Sequence, residues 1–242
     1  MKPFKVGFNS IIRSLFFVAL FSQYSFANGL PSHAEIQEVL KTVVKENNGG
    51  FGFHMWATVV KAVVFSGKDR GDQWPGSRVI SAQKANTANA FSLPEFALST
   101  ANLFSAVQPG GSLFGLQESN PVSTEEAYQG SSEKFGTEKD PMVGHKIGGV
   151  NVFGGGLALY NSEGRLVGAV GVSGDSSCAD HNIAWKVRNR LKLDYVPAGV
   201  SPLKDDNIVY DITNGVSVSG WGHPQCSPEA AKIAQEFPKT HP

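Results

Sequence analysis

The most constraining stretch of this chain is its glycine-punctuated centre. Val150 to Tyr160 and Arg165 to Ser173 are two runs rich in strand-forming residues, separated by the polar, glycine-bearing segment Asn161-Ser162-Glu163-Gly164. Two such runs on a short turn predict an antiparallel hairpin. In its second arm Leu166, Val170 and Val172 alternate onto one face, while Gly168 and Gly171 leave gaps that would admit a neighbouring backbone or a flat ligand. Asp175 to Leu193 follows, and the helical spacing of Ile183, Ala184, Val187 and Leu191 predicts a helix laid across the sheet.

The elements upstream are read the same way. Ser32 as N-cap, Glu35 three residues on, and the stripe Ile36, Val39, Leu40, Val43, Val44 predict a helix running to about Asn48. Residues 54–65 are dense in β-branched and aromatic types and predict either one strand or a tight hairpin at Lys61. After the loop at Trp74-Pro75-Gly76, Ser77 is the expected cap of a helix whose face of Ser81, Ala85, Ala88 and Ser92 is small enough to lie close against a sheet. Pro94 is expected to open a further helix with Phe96, Thr100, Leu103 and Val107 on one face. From Gln108 to Val150 periodicity is lost, and so long an irregular region is a natural binding loop. After Pro197 the alternation of Ile208, Tyr210 and Ile212 suggests an added edge strand. This order does not repeat the strand-helix rhythm of a parallel sheet, so the expected class is α+β, an antiparallel sheet flanked by helices.

Residues 1–27 read as a cleaved secretory signal. Lys2, Lys5 and Arg13 precede the apolar run Leu15 to Phe21, and Ser25-Phe26-Ala27 offers a small-residue cleavage site. That run is far shorter than the roughly 20 residues that span a bilayer, and no later segment is long and apolar enough to insert. A periplasmic or secreted protein of about 215 residues is expected, one domain over 28–196 with a tail over 197–242. Cys178 and Cys226 both fall in the exported part, where pairing into a disulfide would tie the tail down. A metal or redox pair would need further soft ligands or a C-x-x-C spacing. Lys+Arg and Asp+Glu both number 21, which leaves no electrostatic footprint for a nucleic-acid partner.

Three segments carry a family likeness: Ser81 to Phe91, Ile147-Gly148-Gly149-Val150, and Gly168 to Gly174 with Asp180 downstream. Through them residues 32 to 192 resemble the GlcG/HbpS-like haem-binding family. The resemblance implies a profilin-like fold with a five-stranded antiparallel sheet, assembly into homo-oligomers, and haem binding. It further implies a role as haem carrier or as sensor beside a membrane kinase, so that a membrane sensor protein is an expected partner. The chain departs from the family pattern in lacking an Asp-Gly or Asn-Gly turn within Met55 to Phe65. Its loop 108–144 and its cysteine-bearing tail are also longer than in compact members.

A haem site needs an apolar slot, axial ligands and groups for the propionates. His181, Trp185 and Arg188 share one stripe of the helix after Asp175, apart from its apolar stripe, and offer an imidazole, a flat ring and a guanidinium. The alternative is that this stripe is a solvated face or an oligomer contact. His145 just before the glycine-rich strand, with Met142 nearby, is a second candidate, so that His181 and His145 are the candidate iron ligands. Backbone amides at Gly174 to Ser177 would suit a carboxylate, although Asp175 points to self-capping. His54 reads as a strand-end residue, His223 as part of the stapled tail, and His33 and His241 are near the ends. Without a C-x-x-C-H motif, any haem b would be held non-covalently. Gly171-Val172-Ser173-Gly174-Asp175 misses the G-x-S-x-G nucleophile elbow at its last position, and no phosphate loop or H-E-x-x-H motif occurs, so a non-enzymatic protein is expected. The competing expectation is a sensor or accessory module that binds an organic acid or a protein partner in the same slot without haem.

Overall fold

Ser32 opens the first helix, α1 (His33–Val44), through a reciprocal cap: its Oγ accepts from the Glu35 N–H at 3.3 Å and its own N–H donates to Glu35 Oε2 at 2.8 Å. The helix stops short of Asn48, whose side-chain amide turns back onto the carbonyls of Val43 and Glu46 at 3.0 and 2.9 Å. The structure is a computed structural model that describes residues 30–59, 62–67, 74, 76–237 and 240. The expected signal segment, the turn at Lys61 and His241 lie outside the described residues.

β1 (Trp56–Val59) and β2 (Ala62–Phe65) pair antiparallel, Trp56 opposite Phe65 and Val59 opposite Ala62, so residues 54–65 form the tight hairpin rather than one strand. Helix α2 (Ser77–Phe91) follows, with Gly76 and not Ser77 in the capping position; Ser77 is the first helical residue. No helix of ordinary length starts at Pro94. Two 3-10 turns, Thr100–Leu103 and Ser105–Val107, stand there instead. Local side chains take the backbone groups a helix would use: Ser92 Oγ accepts from the Leu98 N–H at 3.1 Å, and Asn102 Oδ1 from the Ser99 N–H at 2.9 Å.

The long region that follows is largely exposed but anchored at a few buried points, Ala127 and Asp140 among them. It holds the short helices α3 (Leu116–Ser119) and α4 (Thr124–Tyr128). It is fastened to α2 by Arg78, which is 5 % exposed: Nε donates to Asp140 Oδ2 at 2.9 Å, Nη1 to Ala127 O at 2.8 Å, and the guanidinium lies 3.7 Å from the Phe135 ring centre.

The central hairpin forms as expected, as β3 (Gly156–Tyr160) and β4 (Leu166–Ser173). Its first arm begins at Gly156 rather than Val150, because the preceding backbone bonds side chains of other elements; the Asn151 N–H donates to Thr87 Oγ1 at 3.0 Å. A register shift at Leu159/Tyr160 sets Leu166 opposite Tyr160, which removes Leu166 from the face of Val170 and Val172. Helix α5 (Ser177–Arg190) is capped by Ser176. The tail contributes β5 (Ile212–Thr213), β6 (Val216–Ser217) and α6 (Pro228–Gln235).

Among the described residues the main sheet has four strands, in the order β2-β1-β4-β3, all antiparallel, one fewer than the five expected. Where a fifth would sit, Tyr160 makes a single parallel bridge with Asp194. The pairing cannot be extended, because the Asp194 carbonyl turns to the Val196 N–H at 2.8 Å and Pro197 has no N–H to give. The expected edge strand at Ile208 to Ile212 is also absent from the main sheet: Ile208 is buried with Ala101, Cys178, Ala230 and Ala234, and Ile212 belongs to the separate two-stranded β5-β6.

The sheet is sandwiched. Val59, Leu157, Leu159, Val170 and Val172 face α1 and α5 and build the largest core with Ile36, Leu40, Val43 and Ile183. On the other face lies α2, drawn close because Gly171 has no side chain: a Cβ there would meet Ser81 O at 1.9 Å and Ala85 N at 2.5 Å. The gap read from the sequence is thus filled by a helix backbone and not by a ligand. Outside α5 the tail forms a further layer, held by α6 and by the Cys178–Cys226 disulfide. No helix among the described residues is long and apolar enough to cross a membrane.

Candidate functional site

The α5 stripe is neither an open slot nor a solvated face. His181 and Arg188 have no exposed surface and Trp185 is 3 % exposed, because the tail covers them. Arg188 is spent on Asp206, through Nη1 to Oδ2 and Nη2 to Oδ1 at 2.7 Å each, and on Ala158 O at 3.0 Å. His181 Nε2 lies 3.2 Å from both Asn207 Oδ1 and the Ile208 N, while its Nδ1 has no hydrogen-bond partner. Burial pushes the His181 imidazole down to about 3, with repulsion from Arg188 adding to it. Trp185 stacks on Phe237, ring centres 5.4 Å apart. The three residues are brought together, but as a polar seam between helix and tail. Under this cover the stripe expected to line a haem slot presents no open surface.

The first turn of α5 serves structure as well. Asp175 accepts from the N–H groups of Phe51 and Gly52, both at 2.9 Å, and of Ser176 at 2.6 Å. Asp175 thereby ties the turn at Phe51-Gly52 to the start of α5, whereas the helix is capped by Ser176, whose Oγ accepts from the Ala179 N–H at 3.4 Å, and not by Asp175 as expected. Asp180 pairs with Lys84 of α2 at 2.6 Å, both without meaningful exposure, and Lys84 also donates to Val172 O at 3.0 Å. Burial raises Asp180 to about 6 and lowers Lys84, against their mutual attraction. This cross-sheet bolt went unseen in the sequence, although both residues stand in the motif segments.

The other candidate pair lies elsewhere, beside a cleft of about 380 Å³ between the β1-β2 hairpin, α2 and the segment 142–148. That volume is in the range of about 300–1,000 Å³ typical of small-molecule sites. Val59, Ala62, Val63, Ala82 and Ala85 supply apolar wall, and Asn86 and Asn89 supply amides. Met142, 4 % exposed, and His145, with 43 % of its side chain exposed, both line it, as does Lys146. His145 Nδ1 is paired with the Glu126 carboxylate. Met142 is held because its N–H donates to Asp140 Oδ1 at 2.9 Å and its side chain packs in the cluster of Trp56, Phe65 and Ile147.

The remaining histidines among the described residues are accounted for locally. His54 Nδ1 is 3.3 Å from Ser66 Oγ, and His33 Nε2 is 3.2 Å from Gly136 O. His223, 2 % exposed, has Nδ1 2.7 Å from Pro224 O and accepts from the Gly154 N–H at 3.3 Å; burial lowers it to about 4.

A family model for haem degrading protein HbpS-like matches residues 32–188, from the cap of α1 to the last turn of α5. The chain belongs to the HbpS-like family. Similar solved structures include that of Klebsiella pneumoniae protein ORFY, 23% identical with a TM-score of 0.43, covering 66% of this chain and 90% of that one. Another is PduOC in complex with heme, 23% identical with a TM-score of 0.44, covering 66% of this chain and 94% of that one. No curated protein matches. The HbpS-like region includes α2, β4 and most of α5, which hold Ser81 to Phe91, most of Gly168 to Gly174, and Asp180, and it ends before the tail that covers α5.

Proposed function

We propose that this HbpS-like chain binds haem in the cleft between the β1-β2 hairpin, α2 and the segment 142–148, outside the cytoplasm. The observation that carries the reading is the donor set gathered at that cleft within a family described by haem chemistry: His145 or Met142 would hold the iron, Lys146, Asn86 and Asn89 would offer partners to carboxylates, and alanine and valine would supply the walls. These residues fit the group, since His145 is partly exposed and its Nε2 makes no bond among the described residues. Haem held there would supply an iron open to small ligands or to electron exchange. Attachment would be non-covalent, because both cysteines of the chain are joined to each other. That disulfide and the signal-like start support export, where disulfides persist. Assembly into homo-oligomers and partnership with a membrane sensor are part of the same reading.

The test is a hemin titration of the protein beside His145→Ala and His181→Ala. A saturable Soret band that weakens or shifts in His145→Ala but keeps its position in folded His181→Ala is the expected result. A flat response in all three would overturn haem binding and favour a non-haem organic-acid or protein ligand in the same cleft. The family description favours a second reading, in which the bound haem is consumed. Loss of the Soret band under air and reductant, faster than for hemin alone, would support it.

A further inference from the structure

The segment that closes the cleft brings its own carboxylate. α4 starts at Ser123, whose Oγ accepts from the Glu126 N–H at 3.4 Å and whose own N–H donates to Ile147 O at 2.7 Å. Val122 pairs antiparallel with Gly148, so the first turn of α4 runs beside the residues that line the cleft. Glu126 thereby meets His145, Oε2 against Nδ1. The same oxygen accepts from Gln129 Nε2 at 2.8 Å, and Arg78 grips the carbonyl of the adjacent Ala127 at 2.8 Å. An exposed ion pair between two loose side chains contributes little. Here both partners sit on backbone stitched to α2 and to the glycine-rich segment.

The pairing has a consequence for the imidazole. A neutral ring carries one proton, and a carboxylate set against Nδ1 favours that proton on Nδ1, which leaves the lone pair on Nε2, the nitrogen without a bond among the described residues. Metal-binding histidines are fixed in this manner by a carboxylate behind the ring, which sets the tautomer and raises the basicity of the ligating nitrogen. We infer that Glu126 is a positioning residue of the haem site: it holds His145 with Nδ1 protonated and Nε2 free for iron. This rests on the reading of His145 as the haem ligand.

The experiment follows the ¹⁵N resonances of the His145 ring in hemin-free wild type, Glu126→Gln and Glu126→Ala, at a pH where the ring is neutral. It then measures hemin affinity and the ferric/ferrous midpoint potential of each, with His145→Ala alongside. In Glu126→Ala the ring should lose its bias toward the Nδ1-protonated form, and hemin affinity should fall about 10–100-fold. Glu126→Gln should keep the tautomer and most of the affinity through its amide carbonyl, but move the midpoint to more positive values, since the anionic carboxylate is gone. A Glu126→Ala protein equal to wild type in tautomer, affinity and potential overturns the role of Glu126. Full affinity and an unchanged Soret band in His145→Ala overturn instead the assignment of His145 as ligand, so the two failures are told apart.

Discussion

Arg188 and Asp206 form a two-pronged ion pair with no solvent exposure on either side chain, and it joins α5 to the tail. The guanidinium also rests 4.7 Å from the Trp185 ring centre and bonds the β3 carbonyl of Ala158. Sheet, helix and tail therefore meet at one side chain. Removing one partner strands the other as an uncompensated buried charge, which costs about 3–5 kcal/mol. Asp206→Leu should lower the unfolding free energy measured in urea by that amount, and Arg188→Met with Asp206→Leu should recover much of the loss. If the double variant is no better than the single one, the charge argument fails.

The disulfide pins the start of α5 to the tail across 48 residues of sequence. For a closed loop of that size the chain-entropy model gives about 4 kcal/mol. Paired Cys178→Ser and Cys226→Ser substitution should reduce unfolding free energy by up to that much, with early exposure of Trp185 fluorescence. A variant as stable as the oxidised parent would show that the tail is held by packing alone.

Gly171 is where α2 touches β4, and a methyl group there has no room against the Ser81 carbonyl. Because the obstacle is backbone, it cannot swing aside as a side chain would. Gly171→Ala should destabilise by about 1–3 kcal/mol or more through overpacking. Gly164→Ala, which meets open space but has φ +71, isolates the cost of backbone conformation alone. Equal losses in the two would refute the close-approach argument.

Acid should weaken the fold through its buried histidines. Burial holds His181 at about 3 and His223 at about 4, both below the ordinary 6.5, so the unfolded chain binds protons that the folded chain refuses. Their stabilisation is complete above pH 6.5 and is lost as pH falls through the folded values. Asp180 works the other way: raised by burial from 3.8 to about 6, its contribution is present below pH 3.8 and lost as pH rises through 6. Two histidines against one carboxylate leave a net uptake of about one proton on unfolding between pH 4 and 6, so stability rises with pH across that window. His223→Gln should flatten that rise in a pH series of urea midpoints, and an unchanged slope would remove His223 as a source.

What could be read from the sequence was local. The capping box at Ser32 and the turn at Asn161 to Gly164 each depend on residues a few positions apart, and both formed as expected. The small face of α2 and the missing side chain of Gly171 correctly signalled close approach, because each concerns volume alone. The α5 stripe misled because helical spacing shows only that His181, Trp185 and Arg188 share a side. What covers that side arrives 18 to 26 residues later, in Asp206 and Asn207, from a tail with no periodicity of its own. His145 and Met142 could be picked out by type and by the glycines that follow them. The wall they face, Val59 and Ala62, is set by a hairpin some 80 positions earlier in the chain, and its proximity is a product of the whole sheet.

The cover over α5 also fixes where this protein can be cut. A fragment trimmed to the family-sized region would end at Arg188, before Asp206, Asn207 and Ala234, and would turn a dry interior helix into an outer one bearing a guanidinium, an imidazole and an indole. Such a fragment would stick to itself or to a chaperone. The smallest unit that keeps this cover therefore extends through α6 to Phe237, which stacks on Trp185, and a fusion junction or affinity tag belongs beyond Phe237.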